Sequence, residues 1–246
     1  MQDRFRTTRW SVVSAAGRWR PGQAHEEVRR ALGELAETYW PPLYAWARRR
    51  GAAPEEAADL VQGFFAELVE KGGLTARPDE RARFRSFLAT AFRRFVGHRA
   101  ERERAQKRGG GRALLSLDAA ALEHEERTLA ALLPAPGDDP ERAFERRWAE
   151  ALMRVALERL AEECARAGQA ERFAALRPHL ALDGEAAPHA EVARALGLSE
   201  GAVKVALHRL RRRYGELLRQ EVAGTLADEA EVEAELADLI SALGPA

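Results

Sequence analysis

Cysteine is almost absent from this chain: Cys164 is the single one in 246 residues. One thiol excludes an intrachain disulfide framework and a thiolate-rich metal site, so Cys164 is expected to be a small core residue. No apolar run reaches the length of a membrane-spanning helix, and the start lacks the positive, apolar and small-residue succession of a secretory leader. The expectation is a cytoplasmic chain without membrane insertion. Period-two runs of β-branched residues are missing as well, which argues against a sheet. An overall charge is also lacking, since 39 basic residues balance 39 acidic ones.

What is present is segregated. Residues 1–112 hold 23 Lys/Arg against 14 Asp/Glu, whereas 113–150 hold 4 against 9. Residues 188–219 are again basic, at 7 against 3, and the tail from 220 onward has 7 acidic residues and no basic one. Two basic surfaces, separated and followed by acidic segments, suit a protein that meets nucleic acid at two places. Ala, Leu, Arg and Glu dominate, which predicts an all-α fold. Helices are expected near 24–40, 41–50, 54–71, 82–107, 141–167 and 169–180. A helical pair over 191–214 and a last acidic helix near 228–242 complete the set. The glycines of "RGGGR" at 108–112 and the "LLPAPGDDP" stretch read as breaks. The organisation expected is an N-terminal extension (1–19), a helical domain (20–108), a linker (109–140), a second helical domain (141–219) and an acidic tail (220–246).

The stretch "EVARALGLSEGAVKVALHRLRRRY", 191–214, has the form of a helix-turn-helix. Val192, Ala193 and Leu196 make one apolar stripe; Val203, Leu207, Leu210 and Tyr214 make another at spacings of three and four. Gly197 is expected to end the first helix and Ser199 to cap the second. The outward face of the second helix carries Glu200, Lys204, His208 and Arg211, with Arg209 and Arg212 beside them. Together with Ser199 these are the candidate duplex-binding residues, since long cations at such positions reach phosphates and base edges. The bland reading is a solvated basic face on a helical hairpin.

Upstream, "DLVQGFFAELVEK" at 59–71 places Leu60, Phe64 and Leu68 on one helical face, with Val61 and Phe65 widening it. It suits either a core helix or a partner surface. In "RARFRSFLATAFRRFVGHRAERERAQKR", 81–108, aromatics interleave with arginines. Phe84, Phe87, Leu88, Ala91, Phe95 and Val96 are expected inside, and Arg85, Arg93, Arg94, Arg99 and Arg102 are expected to supply charge. Rings beside cations suit single-stranded DNA, with a solvated, salt-bridged helix as the alternative.

Taken together these segments resemble the sigma-70 family of bacterial RNA polymerase sigma factors, in the compact extracytoplasmic-function form that keeps only regions 2 and 4. The resemblance runs over most of 35–220 and looks like a divergent subgroup. It implies that the "DLVQ" helix contacts core RNA polymerase, a role carried onto Asp59, Leu60, Gln62 and Phe65. It also implies that "FRSFLATAFRRFVGHRAERERAQKR" binds the melted minus-ten strand through Arg85, Arg93, Arg94, His98, Arg99 and Arg102. The helix-turn-helix would read the minus-35 element as duplex. An anti-sigma factor is a further candidate partner. Arg94 stands where the family has Asn, and Val205 and Ala206 stand where its recognition helix has Ser and Arg, so no promoter sequence carries over. No carboxylate, metal or nucleophile constellation is present, and neither catalysis nor a cofactor is expected. The competing reading is a conventional helix-turn-helix regulator acting as a dimer on palindromic DNA.

Overall fold

The proline pair at 41 and 42, expected to separate two helices, lies inside one: α1 spans Glu26–Arg49 without a break. Each proline removes a backbone donor and costs about 3 kcal/mol in a helix interior. The offset is packing. Tyr39, Leu43 and Tyr44 are wholly buried, Trp40 stacks on Tyr44 with centroids 4.5 Å apart, and Trp46 meets Phe92 edge-on. Burying such side chains contributes roughly 1.5–3 kcal/mol each.

The computed structural model describes residues 26–70, 83–105, 139–180, 186–226 and 228–244. The extension "TRWSVV", the "RGGGR" segment and most of the expected linker lie outside these. Beyond α1 the helices are α2 (Pro54–Glu70), α3 (Phe84–Ala105), α4 (Pro140–Arg166), α5 (Ala170–Leu176), α6 (His189–Leu196), α7 (Glu200–Ala223) and α8 (Val232–Leu243). No strand occurs among the described residues, so the fold is all-α. No described helix is long and apolar enough to cross a membrane.

These helices form two compact units. The first holds the described residues up to Ala151 and those from Val222 onward; the second is Leu152–Glu221. The second domain is expected at 141–219, whereas the first turns of α4 pack in the first unit. Trp148 is fully buried there, stacked on Tyr39 at 4.2 Å and flanked by Phe84 and Phe144. Phe64, Phe92 and Phe95 add a second aromatic group in the same unit. Gly63 lets the side chains of α3 come close to α2: a methyl at 63 would sit 3.3 Å from the Phe95 ring and 3.4 Å from Arg99.

The acidic tail is built into the first unit. Thr225, almost wholly buried, accepts a hydrogen bond at its carbonyl from the Phe84 N–H, 3.0 Å, and so receives the first turn of α3. On α8, Leu236 and Leu239 are buried and Glu235 is buried with them.

In the second unit, Ala156, Leu160, Cys164, Phe173, Leu180 and Leu217 make one core, which places the lone cysteine among apolar side chains. Leu176, Val192, Ala193, Val203, Ala206 and Leu207 make another beneath the helix-turn-helix.

Candidate nucleic-acid interface

Local chemistry sets the helix-turn-helix. Gly197 ends α6 in the left-handed region at φ 64, where its N–H reaches back to the last turn, and a side chain there would cost about 1–2 kcal/mol. The Leu198 N–H donates to Ala193 O at 2.9 Å. Two residues on, Ser199 Oγ accepts from the Ala202 N–H at 3.2 Å and caps α7. The start of α6 has no side-chain cap, Pro188 preceding it.

Rigidity comes from α4. Arg213 donates from Nε and Nη2 to the two oxygens of Glu163 at 2.8 and 2.7 Å, and from Nη1 to Glu216 at 3.0 Å. This pairing raises the arginine further and holds the Glu163 carboxyl below the usual carboxylate range, hydrogen bonding being the main cause for each. Beside it, the Tyr214 hydroxyl donates to Met153 O at 3.0 Å, and burial pushes its pKa up to about 12.

The candidate duplex-binding residues divide on this frame. Glu200, Lys204, His208, Arg209, Arg211 and Arg212 are all exposed. Ser199 is exposed too, with its hydroxyl engaged by the cap. Arg211 donates to His179 O at 3.2 Å, and Arg212 to Glu216 at 3.1 Å across one exposed turn. His179, whose ring lies 5.1 Å from that of His189, is held below the ordinary histidine value by its burial first, then by His189 and Arg211. Val205 is exposed and Ala206 buried. Their two departures from the family pattern are therefore unlike: Ala206 fits a core, and Val205 meets solvent.

In the first unit Arg94, His98 and Arg102 are exposed and spaced by four, so they share one row along α3. Arg99 is half-buried, and Arg93 is exposed with its Nη1 3.4 Å from Glu141. Most of the interleaved rings serve packing. Phe84 and Phe92 are buried, the second absent from the expected interior, and Phe87 and Phe95 are half-buried. On α2 Asp59 is exposed and Gln62 half-buried, but Leu60 and Phe65 are buried, each 8% exposed.

Arg85, expected among the strand-binding set, is inside the fold. Its Nε stands 2.8 Å from Glu235, its Nη2 3.1 Å from Asp238 and its Nη1 3.3 Å from Glu145. Arg83 joins the cluster, 2.9 Å from Glu235 and paired also with Asp238. Sequence reasoning missed this cluster. Its only signal was the alternation of acidic and apolar residues in "EAELADLI", which gives no partner. Among the described residues no group of three or more His, Cys, Asp or Glu could hold a metal ion.

No curated protein and no solved structure matches the chain. The family model described as "ECF sigma factor" matches residues 31–221. That span runs from α1 through α7, whereas likeness to a conventional dimeric regulator would be confined to α6 and α7. ECF sigma factors are non-catalytic transcription factors that bind core RNA polymerase and promoter DNA. By this match over most of its length, the chain belongs to the ECF sigma factor family.

Proposed function

We propose that the two units divide the family's work by surface. The exposed face of α7, from Lys204 to Arg212, docks on duplex promoter DNA upstream in the manner of a minus-35 contact. The Arg94, His98 and Arg102 row on α3, with Arg93 and Arg99 near it, holds the melted minus-ten strand. Cations fix the backbone there, and half-buried Phe87 and Phe95 are the rings nearest to availability for stacking. Asp59 and Gln62 present the polar edge of α2 to core RNA polymerase, while Leu60 and Phe65 support that edge from beneath. An anti-sigma protein would silence the factor by covering either cationic surface.

The observation that carries this reading is a capped helix, locked by Arg213 and Tyr214 against α4, whose opposite side is exposed and cationic. Strand opening must be offset by contacts made only to the melted form, so α3 should discriminate between forked and closed promoters. The test is reconstitution of the full chain with core polymerase, mapping of its transcription starts, and comparison of forked and closed templates. Complex formation with defined starts and preference for the fork is the expected result. Absence of both complex and initiation across mapped candidate promoters would reject it.

A further inference from the structure

Gly201, Val205, His208 and Arg212 follow one another along α7 at spacings of four, three and four, and all four are exposed. Val203, Ala206 and Leu207 are buried on the other side of the helix. The stripe is thus the pole of α7 farthest from its own core, and it lies in the half of the helix that follows the Ser199 cap.

Two of its members are there against the interest of the fold. Val205 is 51% exposed, so it adds little to packing, and a β-branched residue is a poorer helix former than the alanines beside it. Gly201, the second residue of α7, brings no side chain to the packing either. Nothing among the described residues requires it, for a methyl at 201 would meet only the Ser199 hydroxyl there, at the ordinary distance of 3.9 Å. Residues that contradict local preference without a packing reason are expected where a surface is used. A glycine one turn before an exposed valine removes bulk where a partner must come close. It leaves the valine as the one large apolar contact in a surround of Lys204, His208 and Arg209.

We infer that Val205 is a specificity-determining residue that reads the C5 methyl group of a thymine in the major groove. The inference rests on the proposed docking of α7 on duplex DNA and deepens it. A thymine methyl is the apolar feature that the major groove displays, and small apolar side chains are its usual complement. The flanking cations bring the helix to the backbone without choosing a base. Val205 offers two methyl groups and no hydrogen-bonding group, so at this position α7 suits the thymine methyl rather than a polar base edge.

The test uses uracil, which keeps every hydrogen-bonding edge of thymine and lacks only the methyl. Duplexes are selected from a randomised library by the full chain bound to core polymerase, and each thymine of the enriched upstream element is replaced singly by uracil. The wild-type holoenzyme should lose about 3- to 5-fold in affinity at one position, the factor set by burying one methyl group. Val205→Ala should bind the thymine duplex with a similar loss and be indifferent to uracil there. Val205→Thr, which keeps one methyl, should recover part of the discrimination. If no replacement weakens the wild type, or if Val205→Ala stays equally sensitive, the inference is overturned while duplex docking stands. If no upstream element is enriched and Arg212→Ala binds as the wild type does, the docking itself is refuted and the inference falls with it.

Discussion

Replacing Arg85 by alanine separates a structural arginine from a nucleic-acid contact. The Arg85 side chain is 9% exposed and that of Glu235 is 1%, and the two approach to 2.8 Å. Breaking a buried pair by removing one partner costs about 3–5 kcal/mol, because the other charge is left without compensation. Here Arg83 remains 2.9 Å from the same carboxylate, so the loss should fall at or below the low end, about 2–3 kcal/mol. For a unit of this size that corresponds to roughly 4–12 °C in melting temperature. The pH dependence has a definite sign. Burial outweighs the attraction of Arg85 and Arg83 and already raises the Glu235 pKa above the ordinary glutamate value. A raised carboxyl contributes stability that is complete below its unfolded pKa and is lost as pH rises through the folded one. Removing Arg85 raises that pKa further, so the destabilisation at pH 7 should shrink toward pH 5. Thermal melts followed by circular dichroism at both pH values measure it, and hydrogen exchange along α8 locates it. The double replacement Arg85→Met with Glu235→Leu should regain most of the loss, since an apolar pair of similar volume needs no compensation. If Arg85→Ala melts within about 1 °C of the wild type while binding to a forked promoter falls, Arg85 is a strand contact and the clamp reasoning is refuted.

Three further substitutions test other parts of the reading. Arg212→Ala, at a side chain 78% exposed, should weaken duplex binding and lower the slope of log affinity against log salt by about one; an unchanged slope would remove Arg212 from the phosphate contacts. Asp59→Lys changes an exposed side chain and should impair association with core polymerase, measured by co-purification, while binding of free DNA is retained; equal losses would point to misfolding. Tyr214→Phe should give up about 1 kcal/mol at neutral pH with the hydrogen bond to Met153. The raised tyrosine favours the folded state only while protonated, so the wild type should lose stability as pH rises from about 10 toward 12. The phenylalanine variant should lack that loss, and denaturant midpoints at pH 8 and 11 that fall alike in both proteins would contradict it.

Local rules explain why some of this was readable in the sequence and some was not. The end of α6 at Gly197 and the cap at Ser199 depend on residues within one turn, and both are as the sequence predicts. Pro41 and Pro42 obey an equally local rule, yet it loses to the burial of Tyr39, Leu43 and Tyr44, whose partners stand as far along the chain as Trp148. Phe144, Trp148 and Leu152 recur every four residues along α4, and all three are buried. Periodicity does not say which unit receives which turn. The same limit hid the partners of the tail, because its seven acidic residues name none until Glu235 and Asp238 are seen against Arg83 and Arg85.

The arginine run at 211–213 shows why charge alone misassigns a surface. Consecutive residues on a helix point about 100° apart, so three adjacent arginines face three directions. Arg213 turns to Glu163 and locks α7 to α4, with one further bond to Glu216; Arg211 reaches His179 O; Arg212 points away from the core and, among the described residues, is tied to Glu216 across one exposed turn. A phosphate can displace that last tie at little cost, since exposed pairs of this spacing are worth about 0.3–0.5 kcal/mol. Displacing the two-oxygen grip on Glu163 would also release the helix from its support. The run therefore supplies one brace, one contact to the turn and one cation left on the open face, the one that the proposed docking on duplex DNA would use. The same division separates buried, paired Arg85 from exposed Arg94 in the first unit, so the cations proposed to meet DNA are those with the least to lose within the fold.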